Sequence, residues 1–485
     1  MCLPSSPTSI STLPAELLAE VLLFARADER SPSSALRLTQ ISRRWRTTAF
    51  GDMRLWTRLT LEDGQAIGAN SIQQVHAWLQ RAHPFYVSLE LLPMKGKGAF
   101  MRMGPPPPVP HLLHDGLATI ADRVFELNLA IPTEVLAEFL EHPPRAFPHL
   151  VKLRLAPFSR VELDKYRMRP TSRMLITCER LRCLVINEVD LLIHKALDRN
   201  LTVPWQHLEE LKLGNVYDHH EFASVFRQCT RLRHAAFHVA NFYLERPANH
   251  VDSESPTKRK DVTYSFLTSL TLSFHQTWPA RLFETVQFPA LTTLTFAHHS
   301  SDDAYPDFAL QWSGLHALAE RAPMLDTVTL HHLPLNGDPH QLKGFLRRTP
   351  ELRTLTLERC QFDNVGDLST FYDSNPPTLL PRLEVLRIPD VDLGTDDAYL
   401  IGGLCTAAYD CVLDLLRFRL GPTPMREFRI GWRGFDYKKV PLMYCTEQVM
   451  LIKALMEGYE DKEVWVEGVA DELYERLQRG EYAVS

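Results

Sequence analysis

Along the first sixty residues the apolar positions recur with a helical period, and from about residue 58 onward they switch to the short alternation of strands. Leu17, Leu18, Val21, Leu22 and Ala25 fall at i, i+1, i+4, i+5 and i+8, which predicts a helix with one broad apolar stripe, opened by Pro14 in its first turn. Residues 28 to 34 interrupt that pattern with charge, serines and Pro32. Leu38, Ile41 and Trp45 then recur at i, i+3 and i+7, a second helical run to which Leu36 and Phe50 add. A helical unit this small buries little surface for its length, so part of its stripe is expected to serve another protein or the neighbouring domain.

Downstream the pattern is a repeat. Leu352, Leu355, Leu357, Cys360 and Phe362 match the leucine-rich-repeat frame L-x-x-L-x-L-x-x-C-x-L, with phenylalanine closing it. The first leucine of the frame returns at Leu150, Leu181, Leu208, Leu232, Leu267, Leu291, Leu325, Leu352 and Leu383, in steps of 24 to 35 residues, which predicts an irregular array. Helical signals lie between these markers: Ser71 to Gln74 form a capping-box pattern opening a helix through Arg81, and Thr133 stands in the same way before residues 134–141. Earlier strands are predicted near 58–61, 86–91 and 124–129, and the repeats are expected to run to about 425–430, about a dozen strands in all.

The predicted fold is therefore α/β. A small three-helix domain occupies 10–58, an irregular leucine-rich-repeat solenoid with a curved parallel sheet and helices on the convex side occupies 59–435, and a helical cap occupies 436–485. Loop insertions are expected near 95–110, which holds four consecutive prolines, and near 246–261, where Ser255, Pro256 and three basic residues make the best candidate for disorder. Helices at 447–457 and 469–479 suit the closing of the open end of the core.

In the frame L-x-x-L-x-L the leucines face the core, so the residues at positions 2, 4 and 6 project from the concave face of the sheet. The middle repeats place Ser269, Thr293, Thr327 and Thr354 in one column, and Thr271, Thr295, Thr329 and Thr356 in the next. The first repeats place Lys152, Arg154, Glu210 and Lys212 there, and the last places Arg387. A hydroxyl-lined strip beside a charged end suits recognition of a protein segment through hydrogen bonds; threonine also simply fits the exposed face of a strand.

Composition narrows the function. The chain has 485 residues, 45% of them hydrophobic, more than a single core usually holds and enough for a repeat array. A formal net charge of −6, with both signs interspersed, draws the chain to neither nucleic acid nor an anionic membrane. No membrane span or export signal is expected. The eight cysteines are scattered without a Cys-x-x-Cys pair, as in a reducing compartment. His298 and His332 both stand seven positions after their marker leucines, with His299, His331, Asp302 and Asp303 nearby, but no H-E-x-x-H helix supports a metal reading. Phosphate-binding, dinucleotide-binding and serine-hydrolase motifs are absent. Neither cofactor, metal site nor catalytic residue is assigned.

Leu13-Pro14, Glu16-Leu17-Leu18, the long gap to Arg43-Arg44-Trp45-Arg46, and Arg54-Leu55-Trp56 resemble an F-box, of the variant abundant in mushroom-forming fungi, over residues 10 to 58. Ala15 departs from a common second proline and Ser42 from a frequent cysteine. The resemblance implies docking on a Skp-type cullin adaptor through Leu13, Pro14, Leu17, Leu18, Val21 and Leu22, with Leu38, Ile41 and Trp45 joining the helices or completing the contact. It implies a non-enzymatic substrate receptor of a cullin-based ubiquitin ligase, cytoplasmic or nuclear, whose repeats hold an unknown target. The rival reading is a leucine-rich-repeat interaction scaffold unrelated to ubiquitin, its N-terminal helices only capping the solenoid.

Overall fold

The computed structural model describes residues 13–27, 32–62, 69–92, 117, 120–131, 136, 139–140, 146–156, 178–187, 203–216, 225–239, 262–274, 283–298, 312–335, 339–362, 379–391, 410–417, 424–432, 446–459 and 462–466. Two compact units divide it, Met1–Asn215 and Val216–Ser485.

The first unit opens with α1 (Ala15–Ala27), α2 (Pro32–Leu38), α3 (Arg43–Gly51) and a 3-10 turn at Met53–Trp56. Strands β1 (Arg58–Glu62), β2 (Val87–Leu92), β3 (Val124–Leu129), β4 (Lys152–Leu155), β5 (Cys183–Ile186) and β6 (Glu210–Val216) follow, with α4 (Ala69–Arg81) between the first two. Each strand pairs in parallel with the next in sequence. Pro32, a breaker by sequence, is the first residue of α2, where its missing N–H is harmless.

The periodic run through Leu38, Ile41 and Trp45 is not one helix. Thr39 and Gln40 close α2 with turn hydrogen bonds to Leu36 and Arg37, and the Ser42 hydroxyl then caps α3 by accepting from the Trp45 N–H at 3.2 Å. A local capping bond thus overrides an apolar spacing that suits an unbroken helix.

In the second unit β7 (His234–Val239), β8 (Val262–Thr263), β9 (Ser269–Phe274), β10 (Val286–Gln287) and β11 (Thr293–His298) precede α5 (Trp312–Arg321). Then come β12 (Thr327–His331), α6 (Pro339–Arg347), β13 (Thr354–Glu358), β14 (Val385–Val391), β15 (Glu427–Trp432), α7 (Thr446–Glu457) and β16 (Glu463–Val466). β8 and β10 form a separate pair, and the other strands pair in parallel in chain order. The segment expected to close the array holds the helix α7 and then a strand, β16, which pairs with β15 from Glu427↔Glu463 to Ile430↔Val466.

All nine marker leucines are buried, and a strand starts two residues after each. Within β9, β11, β12 and β13 buried residues alternate strictly with half-buried ones. Full burial of one leucine side chain is worth about 1.5–3 kcal/mol, which is why the leucine frame dictates strand phase despite its uneven steps. Between repeats the position after the marker adds a second ladder: Thr268 and Thr292 hydroxyls donate to the carbonyls of Arg233 and Thr268, and then charges of alternating sign take over. Arg353 lies 3.3 Å from Asp326 and 3.2 Å from Glu384, and Arg426 lies 3.4 Å from Glu384.

The expected loops at 95–110 and 246–261 and the helix at 469–479 lie outside the described residues. Of the helix expected at 134–141, Leu136, Phe139 and Leu140 are helical and buried.

Candidate functional site

The N-terminal helices carry two apolar faces. Leu18 and Leu22 of α1 are fully buried and Ala19 nearly so, as are Ala35 of α2 and Ala49 of α3 in the same helical unit. On the other side of α1 Leu17 is 54% exposed and Phe24 76%, with half-buried Val21 between them in the i, i+4, i+7 row. Pro14, Leu36 and Ile41 are also exposed, while Leu13, Leu38 and Trp45 are half-buried. The nine adaptor residues named from the sequence therefore divide: Leu18 and Leu22 belong to the core of the free chain, and the rest reach its surface to differing degrees. Phe24, not named from the sequence, is a further exposed apolar residue of this row, seven positions from Leu17 and three from Val21.

The arginines that flank Trp45 act on the backbone. Arg44 donates to the Leu13 carbonyl and Arg46 Nε to the Thr39 carbonyl at 3.0 Å, tying α3 to the start of α1 and to the end of α2. Arg54 pairs with Glu20 of α1 at 2.8 Å and with Asp52 at 2.7 Å. Its hydrogen bond holds the Asp52 carboxyl below the usual range, and Asp52 in turn caps the 3-10 turn through the Arg54 N–H.

Trp56 joins this helical unit to the first repeat. Fully buried, it donates from Nε1 to the Ala49 carbonyl at 2.9 Å, stacks on Phe50 with centroids 5.4 Å apart, and meets Trp78 of α4 edge-on at 4.7 Å. The Arg81 guanidinium lies 5.0 Å from both the Phe50 and Trp56 rings, and that of Arg26 5.6 Å from Trp78. Burial, followed by the nearby charge of Arg58, lowers the Arg26 pKa to about 10.

The second candidate surface is the outward face of the strands. In the second unit Ser269, Thr293, Thr327 and Thr354 stand side by side in register across β9, β11, β12 and β13, and Thr271, Thr295, Thr329 and Thr356 form the neighbouring column. All eight are half-buried. Past Thr356 the column continues into Arg387 and Arg429. Arg387 grips Glu427 with two hydrogen bonds of 2.7 and 2.8 Å, and Arg429 lies 2.9 Å from the same carboxylate. The first unit presents Ser88, Glu126, Lys152, Cys183 and Glu210 in one column and Thr60, Glu90, Asn128, Arg154, Val185 and Lys212 in the other.

His298 and His332 do not share a site. His298 follows the strand alternation into the core beside Phe296, whereas His332 lies beyond the end of β12 with φ 55°, its neighbour His331 3.3 Å from Glu358. His299, Asp302 and Asp303 lie outside the described residues. Among the described residues no group of three or more His, Cys, Asp or Glu side chains is placed to hold a metal ion. Burial raises the Cys183 and Cys360 thiols to about 12 and that of Cys229 higher still, so at neutral pH these three sulfurs carry a proton. Among the described residues no helix is long and apolar enough to cross a membrane.

Residues 10–62 match the family described as F-box-like. Among solved structures the chain is similar to an internalin (inlF) from Listeria monocytogenes, at 11% identity over 96% of this chain and 97% of that one, with a TM-score of 0.33. It is also similar to a chain of a TLR13–ssRNA13 complex, at 14% identity over 58% of this chain and 44% of that one, with a TM-score of 0.28. No curated protein matches the chain.

Proposed function

We propose that the chain is a substrate receptor of a Skp–cullin–F-box ubiquitin ligase, working in the cytoplasm or nucleus. The N-terminal helices dock the adaptor and the outward face of the strands holds a target protein. The observation that carries the reading is the second apolar stripe of α1. Leu17 and Phe24 are large, apolar and exposed on an F-box-like segment whose interior is already filled by Leu18 and Leu22. Nothing in the folding of the helical unit needs them outside.

The receptor works by proximity and supplies no catalytic group. Tethering a target lysine close to the ubiquitin-charged enzyme replaces a bimolecular encounter with an intramolecular one, at effective concentrations on the order of mM for a suitable span. Of the adaptor residues named from the sequence, Leu13, Pro14, Leu17, Val21, Leu38, Ile41 and Trp45 are available to a partner in the free chain, and Leu18 and Leu22 support them from beneath.

The test uses the exposed pair. Leu17→Asp with Phe24→Asp is expected to abolish co-purification of a Skp-type adaptor while the urea midpoint of the full chain stays unchanged. Adaptor binding that survives both substitutions sinks the contact. Leu22→Asp is a poor choice, because a charge at a fully buried position unfolds the helices whatever they bind. The packing of Trp56 on Trp78 favours a second role, that of a cap on the first repeat. The two readings part at Leu17: a pure cap uses only inward residues and tolerates Leu17→Asp in every assay.

A further inference from the structure

On the strand face of the first unit the carboxylates of Glu90, Glu126 and Glu210 are engaged. Glu90 accepts from Thr60 at 3.2 Å and from Asn128 at 2.6 Å, and Glu126 accepts from Ser88 at 3.1 Å and lies 3.1 Å from Lys152. Glu210 is hydrogen-bonded with the Cys183 thiol. Arg154 on β4 and Lys212 on β6 stand in one column of the same face, both exposed, and no ion pair engages either among the described residues. Val185 of β5 stands between them, in register with both. The second unit treats its arginines differently, since Arg387 and Arg429 share Glu427.

Two strand spacings separate Arg154 from Lys212 by roughly 10 Å, close enough for like charges to repel mildly and too far for either to steady the other. Such a pair adds nothing to the sheet and is complementary to two negative charges at the same spacing. We propose that Arg154 and Lys212 clamp an acidic, carboxylate-bearing stretch of the target, laid across the strands in a polyproline-II conformation. That helix turns once every three residues with a rise of about 3.1 Å, so carboxylates at i and i+3 point the same way roughly 9 Å apart. The proposal rests on the reading of the strand face as the target surface. It is independent of the adaptor contact, which lies on the helices.

The experiment measures fluorescence anisotropy of a labelled Glu-Pro-Pro-Glu peptide with the full chain. Binding is expected, weakening on going from about 0.05 M to about 0.5 M salt as exposed charge pairs are screened. Arg154→Ser with Lys212→Ser is expected to weaken binding at least about tenfold, with an unchanged thermal melt and unchanged adaptor co-purification. No binding of the peptide, equal binding by the double variant, or equal binding of Lys-Pro-Pro-Lys each overturns the proposal. Since adaptor binding is read in the same preparations, failure of the clamp and failure of the receptor reading are told apart.

Discussion

The helix α1 and the strand β13 follow the same rule inward and opposite rules outward. Both bury apolar residues completely, Leu18 and Leu22 in the helix, Leu355 and Leu357 in the strand. Outward, the strand shows Thr354, Thr356 and Glu358, whereas the helix shows Leu17, Val21 and Phe24 beside Glu16 and Glu20. Inward apolar residues are explained by folding alone. The polar outward face is what a water-facing sheet requires, so it identifies a surface without saying that anything binds there. An apolar outward face has no such explanation, so exposure of Leu17 and Phe24 points to a partner where exposure of the threonines does not.

Truncation breaks the comparison most strongly on the inward side. Leu22→Ala and Leu355→Ala are each expected to cost about 2–5 kcal/mol, read as a loss in urea midpoint. Leu17→Ala and Thr356→Ala are expected to stay within about 0.5 kcal/mol. A large stability loss from Leu17→Ala places that residue in the fold and removes the asymmetry.

A smaller effect sharpens how the helical side is built. Ser42→Ala removes the cap of α3 and is expected to cost about 1 kcal/mol, with Gly at the same position costing only a few tenths. Equal costs for the two substitutions sink the capping role.

The smallest effect is confined to the strand side and depends on pH. The hydrogen bond from Arg387 holds the Glu427 carboxyl below the ordinary carboxylate range. With the folded pKa lower than the unfolded one, the stabilisation is complete above about pH 4.3 and fades as pH falls through the lower folded value. Glu427→Gln is expected to remove this share of the pH dependence, so the stability difference between parent and variant shrinks on acidification. A difference constant from pH 7 to pH 3 rules the linkage out.

Periodicity reaches far in this chain. The nine marker leucines located the strands that follow them, and β3 lies where 124–129 was expected, because a parallel strand and its leucine frame are bound by one energetic term, burial. It failed at Leu38, Ile41 and Trp45, where a serine cap and two turn bonds outweighed apolar spacing. It missed β16 too, whose four residues carry no leucine frame and are recruited by pairing with β15.

By itself, then, the sequence determined the phase of the strands, the two columns of hydroxyls and the position of the F-box-like segment, all of which depend on local spacing. Tertiary structure alone decided which of the paired leucines in α1 faces water. Leu17 and Leu18 are the same residue type one position apart, and only the packing of α2, α3 and Trp56 around the helix selects the one that is buried. It also decided which face charges remain unpaired. Lys152 and Arg154 share a strand and a face, yet only Lys152 has a carboxylate beside it on the neighbouring strand, and that neighbour lies 26 residues away in the chain.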